Sequence, residues 1–248
     1  MVNKHEKPTI WNKLYSNTNK TAIMESLNYG FKNPKIFEGY YCWFHLLRKS
    51  KLKIRRSLEV GSGTGSYSLI LKKLGIVDEV YLLDYSKESL KIAEDNFKKY
   101  GIRGKFILGN ALDLPFKDNY FDIAISGGLL EHFSEKDALK ILSEKARVSR
   151  YTLTQVPINT LAYWLMRSIV TLIKGGWPFG YEKPMNVTKL QKMHKRLNLK
   201  IIGEEYHDLI SLFKFLIGRK TGYNFNFKKN FLNRIFANEI AIIANKTH

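Results

Sequence analysis

Apolar positions along this chain alternate between two rhythms. Segments near 55–60, 79–84, 104–109, 121–126 and 151–156, several with short apolar stretches such as 80–83, 106–108 and 123–125, suit strands. Between them, 66–74, 87–100 and 134–147 carry apolar residues three and four apart, the period of helices. Such alternation predicts a parallel sheet covered by helices on both faces. A helix near 187–197, a strand near 199–205 and a final apolar run at 239–244 extend the sheet. Ahead of the core, residues 10–47 show an aromatic helical pattern that includes Trp11, Tyr15, Tyr40, Tyr41, Trp43 and Phe44. This predicts a helical lid over residues 1–50 and an α/β domain over 51–248, with insertions at about 158–186 and 207–237.

The chemistry-bearing residues fall where predicted strands end. After the first strand come Glu59 and then glycines at alternate positions, Gly61, Gly63 and Gly65, before an apolar helix. Glycines let the chain turn sharply and let bare backbone approach a ligand. A dinucleotide fingerprint would want glycine where Ser66 stands. Glu59 would repel a pyrophosphate and suits a ligand with an ammonium group. The second strand ends in Asp84, about 20 residues beyond the glycines, where a carboxylate can accept both ribose hydroxyls. The third runs into Gly109, Asn110, Ala111 and then Leu114, Pro115, Phe116; the fourth into Ser126, Gly127, Gly128, Leu129, Leu130, Glu131, His132.

In this order, over roughly residues 57–133, these segments resemble the class I S-adenosylmethionine (SAM)-dependent methyltransferases, most of all the group acting on quinones, sterols and natural products. The resemblance implies a Rossmann-like, seven-stranded, mostly parallel sheet in the order 3-2-1-4-5-7-6, its last strand antiparallel. It implies SAM as cofactor and S-adenosylhomocysteine as product. The residues it assigns to them are Glu59, Gly61, Ser62, Gly63 and Gly65 in the loop, Asp84 and Tyr85 at the ribose, Asn110 and Ala111 at the adenine, and Ser126 and Gly127 beneath the methyl group. Asn110 stands where the family carries Asp; it can donate as well as accept. In relatives with a similar N-terminal segment a tyrosine reaches the cofactor carboxylate, which gives Trp11 and Tyr15 either that role or simple packing of the lid.

Methyl transfer from a sulfonium needs alignment and exclusion of water, and a base only where the acceptor must lose a proton. The candidate catalytic residues are His132, Tyr15 and His207. His132 could equally settle the loop after the fourth strand, and His207, placed just after the sixth strand, could belong to an exposed acidic turn. Some quinone O-methyltransferases hold a divalent metal with Glu-x-x-Glu-His. Gly128 replaces the first Glu here, so no metal is expected. The motif of exocyclic-amine nucleic-acid methyltransferases is missing after the fourth strand, and Cys42 lies outside any C5-cytosine motif.

Charge adds a partner constraint. The net charge is +19, yet residues 59–157 hold 14 Lys/Arg against 14 Asp/Glu; the excess sits in 1–58 (12 against 3) and 158–248 (15 against 5). Terminal segments of that sign suit an anionic small molecule, RNA or an acidic membrane surface, or form a solvated lysine surface. Residues 213–236 interleave Lys214, Arg219 and Lys228 with Phe215, Tyr223 and Phe231, a pattern shared by single-stranded nucleic-acid and anionic-membrane binders and by half-buried strands. Residues 161–173 are apolar around most of a helix, interrupted by Arg167, and too short for the ~20 residues of a bilayer span. Core packing of a cap helix is the first expectation there; a substrate cover, a membrane interface or a partner contact are the others. One cysteine and a polar N-terminus fit a cytoplasmic protein. The reading is a SAM-dependent methyltransferase of an apolar or anionic small molecule, with its oligomeric state open. The alternatives are an RNA (tRNA or rRNA) methyltransferase docking through its basic termini, and a non-catalytic SAM-binding or RNA-binding subunit.

Overall fold

The computed structural model describes residues 27–28, 31–32, 42–177, 180–208 and 237–247. Trp11, Tyr15 and the basic-aromatic stretch 213–236 lie outside the described residues, as does most of the expected lid. The described helices are α1 (Cys42–Ser50), α2 (Ser66–Lys73), α3 (Lys87–Lys99), α4 (Glu135–Val148), α5 (Leu161–Lys174) and α6 (Val187–Arg196), with a 3₁₀ turn at Leu130–His132. The strands are β1 (Ile54–Val60), β2 (Val77–Asp84), β3 (Lys105–Leu108), β4 (Phe121–Gly127), β5 (Ser149–Pro157), β6 (Leu199–Asp208) and β7 (Ala237–Lys246).

They form one seven-stranded sheet in the expected order, β3-β2-β1-β4-β5-β7-β6. β7 runs antiparallel to both neighbours, with Leu153 opposite Ile243 and Glu205 opposite Ala241; the other pairs are parallel. Apolar residues at adjacent strand positions are explained by burial on two sides. Leu58, Val60, Leu83, Ala124, Ile240 and Ile242 pack toward α4 and α6, while Leu82, Ile123, Ile125, Leu153, Ala241 and Ile243 pack toward α1, α2 and α3. Burying one such Leu or Ile contributes about 1.5–3 kcal/mol. Local sequence starts the helices: Ser86, Ser134, Thr160 and Asn186 cap α3 to α6, each side-chain oxygen accepting a first-turn backbone N–H. Each cap is worth about 1 kcal/mol.

Two expectations change. β6 continues through Asp208, so His207 stands inside a strand, opposite Glu239 of β7, not in a loop or acidic turn. The polar run Glu204–Asp208 lacks the apolar alternation of a strand; hydrogen bonding to β7 holds it in the sheet. α5 is not packed core: it fully buries only Ala162 and Tyr163 and leaves Leu161, Trp164, Leu165, Leu172 and Ile173 exposed. Its sequence is apolar around the circumference, and that pattern does not say which side the fold covers.

Candidate active site

The glycine loop folds back onto the end of β2. Gly61 N and Ser62 N both donate to Leu83 O, at 2.9 and 3.1 Å. Gly61 and Gly65 have φ of +68° and +71°, and a Cβ there would come within 2.7 Å of Leu129 and 2.6 Å of Leu82, so side chains are excluded by strain and by space. Asp84 closes the loop: one carboxylate oxygen accepts Gly63 N at 2.8 Å and the other accepts Ser86 N at 2.9 Å. Burial raises its pKa, against the backbone donors that favour the charged form. Each oxygen retains a lone pair for a ligand hydroxyl.

Glu59 is placed differently from Asp84. Its Oε2 accepts Ser68 N at 2.8 Å, so the buried carboxylate serves a donor in the first turn of α2 that the helix itself leaves without a partner. Burial pushes its pKa up to about 7 despite that bond.

Beside Asp84 opens a cavity of about 390 Å³. Of the residues expected at the site, it brings together Gly61, Asp84, Tyr85, Asn110, Ala111, Gly127 and His132. Glu59, Ser62, Gly63, Gly65, Ser126 and His207 do not line it; the first four shape the loop behind it. Its apolar surface comes from Leu83, Leu108, Leu112, Leu129 and Phe133 together with the Tyr85 ring. Asn110 commits Oδ1 to Leu112 N at 3.0 Å, so what its side chain offers a ligand is chiefly the amide N–H groups. A largely apolar cavity lined by a carboxylate and by side-chain-free glycines fits an adenosine-bearing cofactor.

Gly127 and Gly128 also line the cavity. A Cβ on Gly127 would collide with the Tyr67 ring, which stacks on Trp43 at 4.3 Å and 13°. Tyr67 donates to Gln155 Oε1 at 3.1 Å, Gln155 donates to Glu239 Oε2, and His207 Nδ1 lies 3.7 Å from that oxygen. His207 is thus linked to the Gly127 side of the cavity through Glu239, Gln155 and Tyr67.

His132 sits in the 3₁₀ turn, 4% exposed, with Nδ1 2.6 Å from Tyr181 O. A carbonyl only accepts, so Nδ1 carries the proton and Nε2 holds the lone pair. Burial lowers the pKa and keeps the ring neutral. Glu131 Oε1 lies 3.9 Å from Nε2. Ser126, fully buried, accepts from Lys145 Nζ at 2.6 Å; the same ammonium donates to Leu153 O at 2.9 Å and Thr154 Oγ1 at 2.8 Å. All three donors of a completely buried lysine are thereby placed, pinning β4 to β5 just before Gly127, while desolvation drives its pKa well down. Lys145, Tyr67, Gln155 and Glu239 were not signalled by sequence. A lysine inside an amphipathic helix reads as surface, and the other three meet across long chain separations.

The model of a methyltransferase domain matches residues 58–151. Demethylmenaquinone methyltransferase of Geobacillus kaustophilus is 37% identical over 105 residues, 42% of this chain and 44% of that protein. Ajmaline N-methyltransferase of Rauvolfia serpentina is 30% identical over 118 residues, 46% of this chain and 39% of that protein. The chain spans about half the length, or less, of the relatives it matches. Among solved structures, magnesium protoporphyrin IX methyltransferase from Synechocystis PCC 6803, with S-adenosylhomocysteine bound, superposes with a TM-score of 0.56 at 17% identity, covering 83% of this chain and 80% of that one. A SAM-dependent methyltransferase from Methanosarcina mazei gives 0.58 at 18% identity, covering 81% and 96%. At such identities the superpositions speak for the fold, and the sequence match speaks for the motifs. Residues 58–151 thus match a methyltransferase-domain family, and they lie within a seven-stranded sheet of the strand order that the resemblance to class I SAM-dependent methyltransferases implied.

Proposed function

We propose that this chain is a SAM-dependent methyltransferase that methylates a small-molecule acceptor, apolar, anionic or both. The observation that carries the reading is Asp84: its carboxylate accepts Gly63 N and Ser86 N and lines a largely apolar cavity that Gly127 and Gly128 also line. When bound, SAM supplies a methyl group already activated on a sulfonium. The chain's own work is to hold and to exclude. Asp84 accepts ribose hydroxyls, the Asn110 amide and the Ala111 backbone meet the adenine edge, and Tyr85, Leu108, Leu112 and Phe133 keep water from the ring faces. Glu59 acts through the loop, by holding the start of α2. Side-chain-free Gly127 and Gly128 leave room for an acceptor close to the donor, where approximation supplies most of the rate. His132, neutral and with its lone pair on Nε2, takes the proton where the acceptor must lose one. Trp11 and Tyr15 are assigned to the cofactor carboxylate, Tyr15 also to the acceptor, and His207, with Glu239, to the acceptor side.

The named acceptors of the relatives, a demethylmenaquinone, a magnesium protoporphyrin and an alkaloid, are all largely apolar molecules. That supports a small molecule over RNA, for which the basic termini remain the supporting feature. The test is calorimetric titration of SAM and S-adenosylhomocysteine into nucleic-acid-free protein, followed by labelled-methyl transfer to lipophilic acids and phenols. Micromolar binding with transfer to such an acceptor upholds the reading. Absence of SAM binding, or transfer only to RNA with a steep salt dependence, defeats it.

A further inference from the structure

α5 presents a stripe that nothing in the described fold covers. Leu161, Leu165, Ser168 and Leu172 recur at helical spacing on one side, with Trp164 and Ile173 beside them; Leu161 is 73% exposed and Leu172 86%. The only charged residue between Leu161 and Ile173 is Arg167, and it is turned inward, donating to Tyr163 Oη at 3.1 Å and Glu182 O at 3.0 Å. No helix among the described residues is long and apolar enough to cross a membrane. A helix with one bare apolar side and no exposed acid suits the interface plane of a bilayer.

The neighbouring charge names the surface. Glu182, held to α5 by Tyr163 and Arg167, is followed by Lys183, whose N donates to Glu131 O at 3.0 Å beside the His132 turn. Lys189 then meets Glu135 at 2.5 Å, and Lys189, Lys192 and Arg196 line one groove. Lys189, Arg196 and Lys183 together hold the Glu135 carboxyl below its usual range, so three cations gather around one anion and leave a positive excess. α5 follows the carboxyl end of β5, and α4 and α6 begin at that same edge of the sheet, where Phe133 and Asp137 line the cofactor cavity. A second copy of the chain is a poor occupant, since each copy carries +19 and two such bodies repel.

We infer that the protein docks on an anionic bilayer, with Leu161, Leu165 and Leu172 of α5 in the acyl boundary and Lys183, Lys189, Lys192 and Arg196 toward the headgroups. This docking is independent of methyl transfer and is read without activity. The probe is co-sedimentation with large vesicles of phosphatidylcholine alone and of phosphatidylcholine with phosphatidylglycerol, at low and high salt. The protein pellets with the anionic vesicles, less so in salt, and Leu165→Glu with Leu172→Glu weakens partitioning about tenfold or more. SAM affinity of that double variant controls for folding; should it fall, Leu172→Ser decides, with an expected loss of about threefold. Failure of the wild type to pellet, or variants that pellet as well as it does, overturns the inference. So does a wild-type dimer in sedimentation velocity that the substitutions split while no vesicles are bound, which would make the stripe a subunit contact.

Discussion

In the loops after β1, β2 and β3, side-chain acceptors are closed by backbone N–H groups: Asp84 by Gly63 and Ser86, Asn110 by Leu112, Glu59 by Ser68. At the ends of β5 and β7 and around α5, pairs of polar side chains also close on one another. Tyr67 meets Gln155, Gln155 meets Glu239, and Tyr163 meets Glu182. A bond to backbone survives changes in neighbouring side chains, because one partner is fixed by the fold. A bond between two side chains fails when either is replaced, and both must lose rotamer freedom to make it. On the proposed function, the cofactor half is held largely through backbone, and the acceptor half is where substitution is expected to retune the site without disturbing SAM.

The sharpest attempt on the cofactor half is Asp84→Ala. It removes the acceptor of two backbone donors and of the ribose hydroxyls together, and a loss near a hundredfold in SAM affinity, about 2.7 kcal/mol, is expected by calorimetry. Unchanged affinity would take Asp84 out of the site. Where the halves touch, Gly127→Ala drives a methyl group into Tyr67 and costs about 2 kcal/mol in urea titrations. Adding Tyr67→Ser recovers part of that cost if the clash is the cause. A double variant no better than the single one would place the glycine requirement elsewhere.

Glu59 offers a pH test. Its folded pKa of about 7 lies above the reference 4.5, so the folded state holds the proton more tightly. That contribution is full below 4.5 and is lost as pH rises through 7. The stability of the wild type minus that of Glu59→Gln therefore falls by about 1.4 kcal/mol per pH unit across that window. His132 and His194, whose pKa values are depressed by burial, act in the opposite direction but cancel in the difference. A flat difference curve would mean that Glu59 is ionised throughout. The smallest expected effect is in the acceptor half: Gln155→Ala leaves SAM affinity within about twofold and costs about 1 kcal/mol of stability. A tenfold loss of SAM affinity would erase the distinction between the halves.

The same contrast explains what was legible in the chain. Glycines at 61, 63 and 65, an acid at the end of β2 and the alternation of strand and helix patterns are local, so the glycine turn, the place of Asp84 at a strand end and a largely parallel sheet could be anticipated, while the strand order came from the resemblance. The resemblance supplied the antiparallel place of β7, which no periodicity contains. Lys145 was hidden because a helical lysine looks solvated until three neutral oxygens from Ser126, Leu153 and Thr154 surround it. His207 was misplaced because the polar run around it takes its strand from β7. For α5, periodicity counts apolar positions but not what stands opposite them.

β7 enters the sheet between β5 and β6, although both precede it in the chain. Until it arrives, two strand edges with buried apolar faces stand open, an arrangement prone to pairing with other chains. Ile240, Ile242 and Ile243 then fill both sides of the sheet in one step. Insertion of β7 is thus expected to be a late, long-range step in folding, since it joins strands that both precede it in the chain. Under a refolding jump, protection of amides in β1, β2 and β4 should precede protection in β5, β6 and β7, with aggregation losses concentrated in the interval between them.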